Sequence, residues 1–312
     1  MKKQIKTDYK VGVIVGRFHT HRLHNGHLPV FEQVTKNHSK VIVLLGISAA
    51  QNSFNDPLDF EMRKDMILSK FPDIIVSSIK DCDSDDLWSE NLDERIEELI
   101  TPSQKVIIYG GRDSFIPYYS GKFEIEELES EIFISASEIR KEISSSSFKK
   151  FIKDLSPEEA FRAGVIWSTQ NRYDTCYATV DIAITRVREK TNEILLVRKK
   201  NENYWRLAGG FSSVDSPTFE HDAIREVNEE LGIEISKPIY LGSHIIDDWR
   251  YKNQKDKIKT LFFKSDYVFG CPIPADDIDE AKWFNKSLHE SDVFKPHYEL
   301  IKKFLPIFIN FS

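Results

Sequence analysis

Residues 225–233 read Arg225-Glu226-Val227-Asn228-Glu229-Glu230-Leu231-Gly232-Ile233, and three of their carboxylates recur at a spacing that a helix turns onto one face. At i, i+3 and i+4, Glu226, Glu229 and Glu230 converge within one turn. Like charges that close repel one another unless a cation sits among them, and hard oxygen donors in that number suit Mg²⁺ or Mn²⁺. The same run can be read as a solvated acidic surface that needs no cation, but its surroundings argue against that. A Gly-Gly turn, Gly209-Gly210, lies just upstream, and Ala223, Ile224, Val227 and Leu231 form an apolar stripe expected to face away from the acids.

A second constellation lies near the N-terminus. Val11-Gly12-Val13-Ile14-Val15 reads as a short buried strand that runs into Gly16-Arg17-Phe18 and then His24-Asn25-Gly26-His27, with a helix-like segment from Leu28 to Val34. A strand, a glycine turn and a helix start offer free backbone N–H groups to phosphate. Arg17 adds fixed positive charge, and His24 and His27 fall beside the turn. Five basic or imidazole side chains from Arg17 to His24 are more than a satisfied core histidine requires.

These two sites must be positioned by separate elements. Residues 1–160 alternate strand-like segments (11–15, 40–45, 73–77, 105–109) with helix-like ones (27–37, 59–71, 86–100). That alternation predicts an α/β fold, a doubly wound parallel sheet with helices on both faces and a ligand crevice outside the C-terminal strand ends, where Gly16 and Gly110 fall. A serine run, 144–147, opens a composition shift, and the boundary is expected between about Lys150 and Asn171. Residues 170–312 carry strand-like segments at 179–185, 193–197, 239–243 and 259–267, the acidic helix, and a closing helix over 295–305, which predicts an α+β sandwich with a mixed sheet.

Length and composition agree. A chain of 312 residues holds two domains of ordinary size, and its 30% charged and 40% hydrophobic content is that of a globular protein. A net charge of −7 argues against broad nucleic-acid binding. Cys82, Cys176 and Cys271 lie far apart with no metal spacing, no apolar run spans a membrane, and the basic N-terminus lacks a secretory core, so a cytoplasmic protein is expected. A homo-oligomer stays open.

The segment 225–233 with its upstream glycine resembles the Nudix box, the signature of enzymes that hydrolyse nucleoside diphosphates linked to another group. The resemblance implies that Glu226, Glu229 and Glu230 hold divalent metal, Glu229 being also catalytic, while Arg225 orients a glutamate and Gly209-Gly210 allow close approach. The family pattern has a further glutamate with seven residues before the arginine. That place is Pro217 here, with Asp215 and Glu220 nearby and one extra residue after Gly210. Trp205, Trp249 and Tyr251 are candidates for stacking adenine or for plain packing; Glu280 is a candidate further ligand or base, and His297 a late-chain participant or a surface histidine.

Gly16-Arg17-Phe18 with His24-Asn25-Gly26-His27, and Ile134-Ser135-Ala136-Ser137-Glu138-Ile139-Arg140 further on, resemble the two signatures of the nucleotidyltransferase superfamily. Together with the Nudix box they make the chain similar to bifunctional nicotinamide-mononucleotide adenylyltransferase/Nudix hydrolases. In such enzymes a nucleotide phosphate oxygen attacks the α-phosphate of ATP and pyrophosphate leaves, without a protein nucleophile. The resemblance implies that His24 and His27 bond the ATP phosphates, and that Arg140 and Ser135 hold the leaving phosphates at a helix start. Gly16, Arg17, Phe18, Gly110 and Arg112 would line the nucleotide pocket, and Mg²⁺ would bridge the phosphates. Ser135 also reads as an ordinary helix cap with Glu138. The loop 19–23 is two residues longer than the usual pattern, which leaves the acceptor open between nicotinamide mononucleotide and another adenylyl- or cytidylyl-transfer substrate. Trp88, Asp81 and Arg112 are candidates for holding the acceptor. The implied ligands are ATP, nicotinamide mononucleotide and ADP-ribose; a Nudix domain that senses a nucleotide without cleaving it is the remaining alternative.

Overall fold

The computed structural model describes residues 10–111, 114–128, 135–145, 147–200, 202–285 and 288–309, and the chain divides into two compact units, Met1–Tyr173 and Asp174–Ser312.

The first unit runs β1 (Lys10–Gly16), α1 (Leu28–Asn37), β2 (Lys40–Ile47), α2 (Phe60–Leu68), β3 (Ile75–Lys80), α3 (Asp85–Leu99), β4 (Lys105–Gly110), β5 (Glu124–Glu127), α4 (Ala136–Ser145), α5 (Phe148–Phe151) and α6 (Pro157–Asn171). Its strands pair in the order β3-β2-β1-β4-β5, all parallel. The sheet is buried on both faces, which is why β1 and β2 are near-continuous apolar runs. Ile14, Val41, Val43 and Leu45 pack with Phe31 and Val34 of α1 and with Met66 and Ile67 of α2. Val11, Val13, Ile42 and Leu44 pack with Leu92 and Ile96 of α3 on the opposite face. α2, α3 and α6 begin where a side chain caps them: Asp59 accepts the Met62 N–H, Ser84 the Leu87 N–H, and Ser156 forms a capping box with Glu159. The order reverses between β1 and β4, and those strands end side by side at Gly16 and Gly110. A crevice for ligands is expected at such a reversal.

The second unit runs β6 (Cys176–Arg188), β7 (Thr191–Lys199), β8 (Ala208–Phe211), α7 (Phe219–Leu231), β9 (Glu234–Ile235), β10 (Ile239–Ile246), β11 (Lys257–Phe269), β12 (Ile278–Phe284) and α8 (Lys295–Phe304). The order β10-β11-β6-β7-β12 is mixed: β11 and β6 are parallel, the other neighbours antiparallel, and β8 adds to β6. Ala223, Val227 and Leu231 of α7 bury against Val180, Ile182, Ile184 and Phe263. Tyr298, Leu300 and Ile301 of α8 bury against Ala183, Leu196 and Phe262 on the other face. The unit is therefore a sandwich of two helices about a mixed sheet. Ile224, expected in the apolar stripe of α7, is instead 45% exposed. Thr218 caps α7 by accepting the His221 N–H, and Gly232 closes it at φ 61°, a left-handed conformation that glycine adopts without strain. Among the described residues, no helix is long and apolar enough to cross a membrane.

Candidate functional site

In the first unit, the turn after β1 folds back on itself. Phe18 sits at φ 52°, and its ring tip lies 2.8 Å from where a Cβ on Gly16 would fall, so a side chain there would push the Phe18 ring aside. Phe18 then meets His27 edge-on, with ring centroids 4.9 Å apart. His27 and His24 stack, with centroids 3.7 Å apart. The Gly26 N–H donates to His24 Nδ1, which leaves the imidazole proton on Nε2. His24 Nε2 and His27 Nδ1 are buried and have no hydrogen-bond partner among the described residues. Burial, then neighbouring Arg22, lowers His24; burial, then His24, lowers His27 to about 3, so both rings are neutral at pH 7.

Arg140, seven-tenths of the chain's first unit away in sequence, comes to the same loop. It is buried on α4 and donates to the His19 carbonyl at 3.4 Å and to Ser137 Oγ at 3.1 Å. Arg162 of α6 donates to the His21 carbonyl at 2.7 Å. The longer loop is thus buried except at Arg22 and is pinned by two guanidiniums. Ser135 is exposed at the start of α4, where its carbonyl accepts the Ile139 N–H. Arg17 does not stand free: it pairs with Asp56 at 2.9 Å and Asp81 at 2.6 Å, while the Arg63 guanidinium donates to the Arg17 and Gly46 carbonyls. His19 Nδ1 accepts the Leu58 N–H, and Nε2 lies 3.2 Å from Asp56. Asp81 is therefore engaged with Arg17, and Trp88 packs on Phe115 with centroids 5.8 Å apart. Arg112 lies outside the described residues. Asp56, Arg63 and Arg162, none of them singled out in the sequence, build the frame of this site.

In the second unit, β8 brings Gly209 and Gly210 beneath α7. Gly209 has φ 148°, and a Cβ there would fall 2.0 Å from the Val180 carbonyl oxygen. A Cβ on Gly210 would fall 2.5 Å from Glu226 Oε2, so the bare backbone makes room for that carboxylate. Glu230 is 3% exposed and accepts the Gly209 N–H at 3.0 Å. Burial above all, then the charges of Glu226 and Asp277, lifts Glu230 to about 8; burial and Glu229 also raise Glu226. Glu229 is half exposed and accepts from Arg225 at 2.8 Å. Arg225 also reaches Glu226 at 2.8 Å, Asp222 at 2.9 Å and the Phe211 carbonyl at 3.1 Å. Among the described residues, no three side chains stand together as a ready-made metal cluster. The donor set still suits a hard cation: Glu230 is buried, Glu226 is largely so, and Glu226 fills the cradle left by Gly210.

The remaining candidates separate. Trp205 packs edge-on against Phe284 under the Arg198 guanidinium, within the apolar core. Trp249 is 42% exposed, and Tyr251 stacks obliquely on Tyr177 with centroids 5.3 Å apart, beside Phe211. Glu280 lies on β12 and pairs with Arg198. His297 is buried, not at a helix surface: its Nδ1 accepts the Leu207 N–H at 2.9 Å and its Nε2 lies 3.3 Å from Asp181. Asp222, 2% exposed, was not singled out, because in the sequence it reads as one more acid in a solvated turn.

A mixed sheet carrying a glycine turn under an Arg-Glu-x-x-Glu-Glu helix defines the class: residues 178–305 match the NUDIX domain family, and this part of the chain is a Nudix domain. Among curated relatives, the chain is similar to an ADP-ribose pyrophosphatase of Methanocaldococcus jannaschii, 28% identical over 40% of this chain and 72% of the relative. It is also similar to the NAD-capped RNA hydrolase NudC of Pseudomonas aeruginosa, 33% identical over 30% of this chain but only 32% of that protein's length. Among solved structures, a bifunctional NMN adenylyltransferase/ADP ribose pyrophosphatase from Francisella tularensis, complexed with AMP and Mn, aligns over 96% of this chain and 99% of its own at 20% identity and a TM-score of 0.47.

Proposed function

We propose that the protein is a two-site nucleotide enzyme: the first unit transfers the adenylyl group of ATP to nicotinamide mononucleotide, giving NAD and pyrophosphate, and the Nudix domain hydrolyses ADP-ribose or a related nucleoside diphosphate derivative with a divalent metal, Mg²⁺ or Mn²⁺. The observation that carries the transferase reading is the stacked His24/His27 pair, whose buried Nε2 and Nδ1 atoms have no partner among the described residues, on the turn that buried Arg140 pins at the His19 carbonyl. Leaving such groups unpaired is costly, and phosphate oxygens would satisfy them.

In this reading His24 offers its Nε2 proton to a phosphoryl oxygen of ATP, and His27 lies against the same face. Because both rings are neutral, the fixed cationic charge comes from Arg140, with Ser135 at the start of α4 receiving the leaving phosphates. Arg17, held between Asp56 and Asp81, serves the shape of the turn more than the charge of the pocket.

In the Nudix domain, Glu226, Glu229 and Glu230 would hold the metal, which polarises phosphorus and acidifies a bound water when present. Gly210 keeps the Glu226 carboxylate at the backbone, and Arg225 holds Glu229 in place. The match of residues 178–305 to the Nudix family and the resemblance of this region to an ADP-ribose pyrophosphatase support the hydrolase reading.

Incubation with ATP, Mg²⁺ and nicotinamide mononucleotide is expected to yield NAD and pyrophosphate, and ADP-ribose is expected to yield AMP and ribose phosphate. No dinucleotide with any divalent metal sinks the transferase reading. Tight ADP-ribose binding without AMP release replaces the hydrolase with a sensor.

A further inference from the structure

We propose that Asp222 is a positioning residue of the Nudix site: a buried anchor that retains Arg225 when Glu226 and Glu229 turn to a divalent cation. The proposal rests on the reading that the α7 glutamates bind such a cation.

Arg225 is shared. Its guanidinium meets Glu226 Oε1 at 2.8 Å and Glu229 Oε2 at 2.8 Å, both expected cation ligands. A cation and a guanidinium compete for the same oxygens. An arginine with no other carboxylate would have to be displaced, or would be left partly buried without a countercharge, and either cost opposes cation binding. Asp222 removes that conflict. It lies in the first turn of α7, is 2% exposed, and receives Arg225 Nη2 at 2.9 Å. The same Nη2 reaches the Phe211 carbonyl at 3.1 Å, next to Gly210. Asp222 is itself fixed: Oδ1 accepts the Ser213 N–H at 3.0 Å and the Ser216 hydroxyl at 2.7 Å. One carboxylate thus ties the loop 213–216, the base of α7 and Arg225 together. Pro217, where the family pattern has a carboxylate, cannot do this, and Asp222 supplies the charge from one turn further along the chain.

The test is calorimetric titration of the whole chain with Mn²⁺, without nucleotide, as a double-mutant cycle. Asp222→Asn keeps an oxygen for Ser213 and Ser216 but removes the charge that holds Arg225. It is expected to weaken Mn²⁺ binding about tenfold in the wild-type background and less than about twofold in an Arg225→Gln background. Ser216→Ala, a milder change at the loop, is expected to shift Mn²⁺ affinity in the same Arg225-dependent direction, and it carries the test if Asp222→Asn melts early. An equal loss in both backgrounds means that Asp222 acts on the cation directly by its charge and overturns the anchor, leaving the hydrolase reading intact. A wild-type chain that binds no Mn²⁺ overturns both.

Discussion

The rings of His24 and His27 stack 3.7 Å apart, yet neither presents a proton to the other, and each keeps one buried nitrogen without a partner among the described residues. In the proposed reading, a phosphoryl oxygen entering from outside accepts the His24 Nε2 proton. Donors fixed in advance toward developing phosphoryl charge are typically worth roughly 10²–10³ in rate each. His24→Ala is therefore expected to lower kcat of adenylyl transfer by about that factor while ADP-ribose hydrolysis stays at the wild-type rate. Steady-state assays of both reactions on one preparation check this; a parallel loss of the two activities would contradict separate sites.

Burial of these imidazoles links stability to pH. Burial first, then nearby cations, lowers His19 and His21 to about 4, and burial with His24 lowers His27 to about 3, against an ordinary value of 6.5. The unfolded chain takes up protons near 6.5 and the folded unit only near 3–4, so the stability they confer is complete above 6.5 and lost as pH falls toward 4. At pH 5 the loss is on the order of 2 kcal/mol per imidazole, less in sum because the groups are neighbours. The first unit's melting temperature is expected to drop by roughly 10 °C between pH 7.5 and 5. His21→Phe, which removes a ring whose two buried nitrogens have no partner among the described residues, is expected to flatten that drop, and scanning calorimetry across pH reads it.

Neighbouring glycines in β8 are expected to fail in different ways. A Cβ on Gly209 meets backbone, the Val180 carbonyl oxygen at 2.0 Å, at φ 148°, and nothing can yield without parting β8 from β6. Gly209→Ala is expected to leave the second unit unfolded or melting far below the wild type. A Cβ on Gly210 meets only the end of a side chain, Glu226 Oε2 at 2.5 Å. Gly210→Ala is expected to fold, with melting within a few degrees, and to lose roughly 10²-fold in ADP-ribose hydrolysis because the carboxylate is pushed aside. Equal activity of Gly210→Ala and wild type would overturn the need for the Glu226 carboxylate to lie against the Gly210 backbone.

The sequence was legible wherever the arrangement is local. The Gly16–Phe18 turn, the His24/His27 pair and the i, i+3, i+4 glutamates each lie within one strand-turn-helix or one helix, so period and spacing were enough. Their partners were hidden by distance along the chain. Asp56 and Asp81 meet Arg17 from 39 and 64 residues away, and Arg162 reaches the His21 carbonyl from 141 residues away. His297 reads as a helix surface residue until β6 brings Asp181 against it and the Leu207 N–H closes the other ring nitrogen. β5, with the sequence Glu-Ile-Glu-Glu, has no apolar pattern to announce it and exists because the edge of β4 accepts it. Polarity in a sequence marks a solvated surface or a buried bonded group alike, and only the fold distinguishes them.

Glu230 provides a test of the cation site that needs no turnover. Burial, joined by the charges of Glu226 and Asp277, raises its carboxyl to about 8 in spite of the Gly209 N–H, so it is mostly protonated at pH 7. The unfolded chain ionises this group near 4.5, so its contribution to stability is complete below that value and lost as pH rises toward 8. Glu230→Gln, which keeps an acceptor for the Gly209 N–H, is accordingly expected to raise the melting temperature of the second unit at pH 8 and to change it little at pH 4. A hard cation binds the ionised oxygen, so Mn²⁺ uptake at pH 7 is expected to release close to one proton, falling toward none by pH 9. Calorimetry in buffers of different ionisation enthalpy measures that release directly. No proton release from the wild-type chain at pH 7, with Mn²⁺ bound, would remove Glu230 from the ligand set; release that persists in Glu230→Gln would assign the proton to another group.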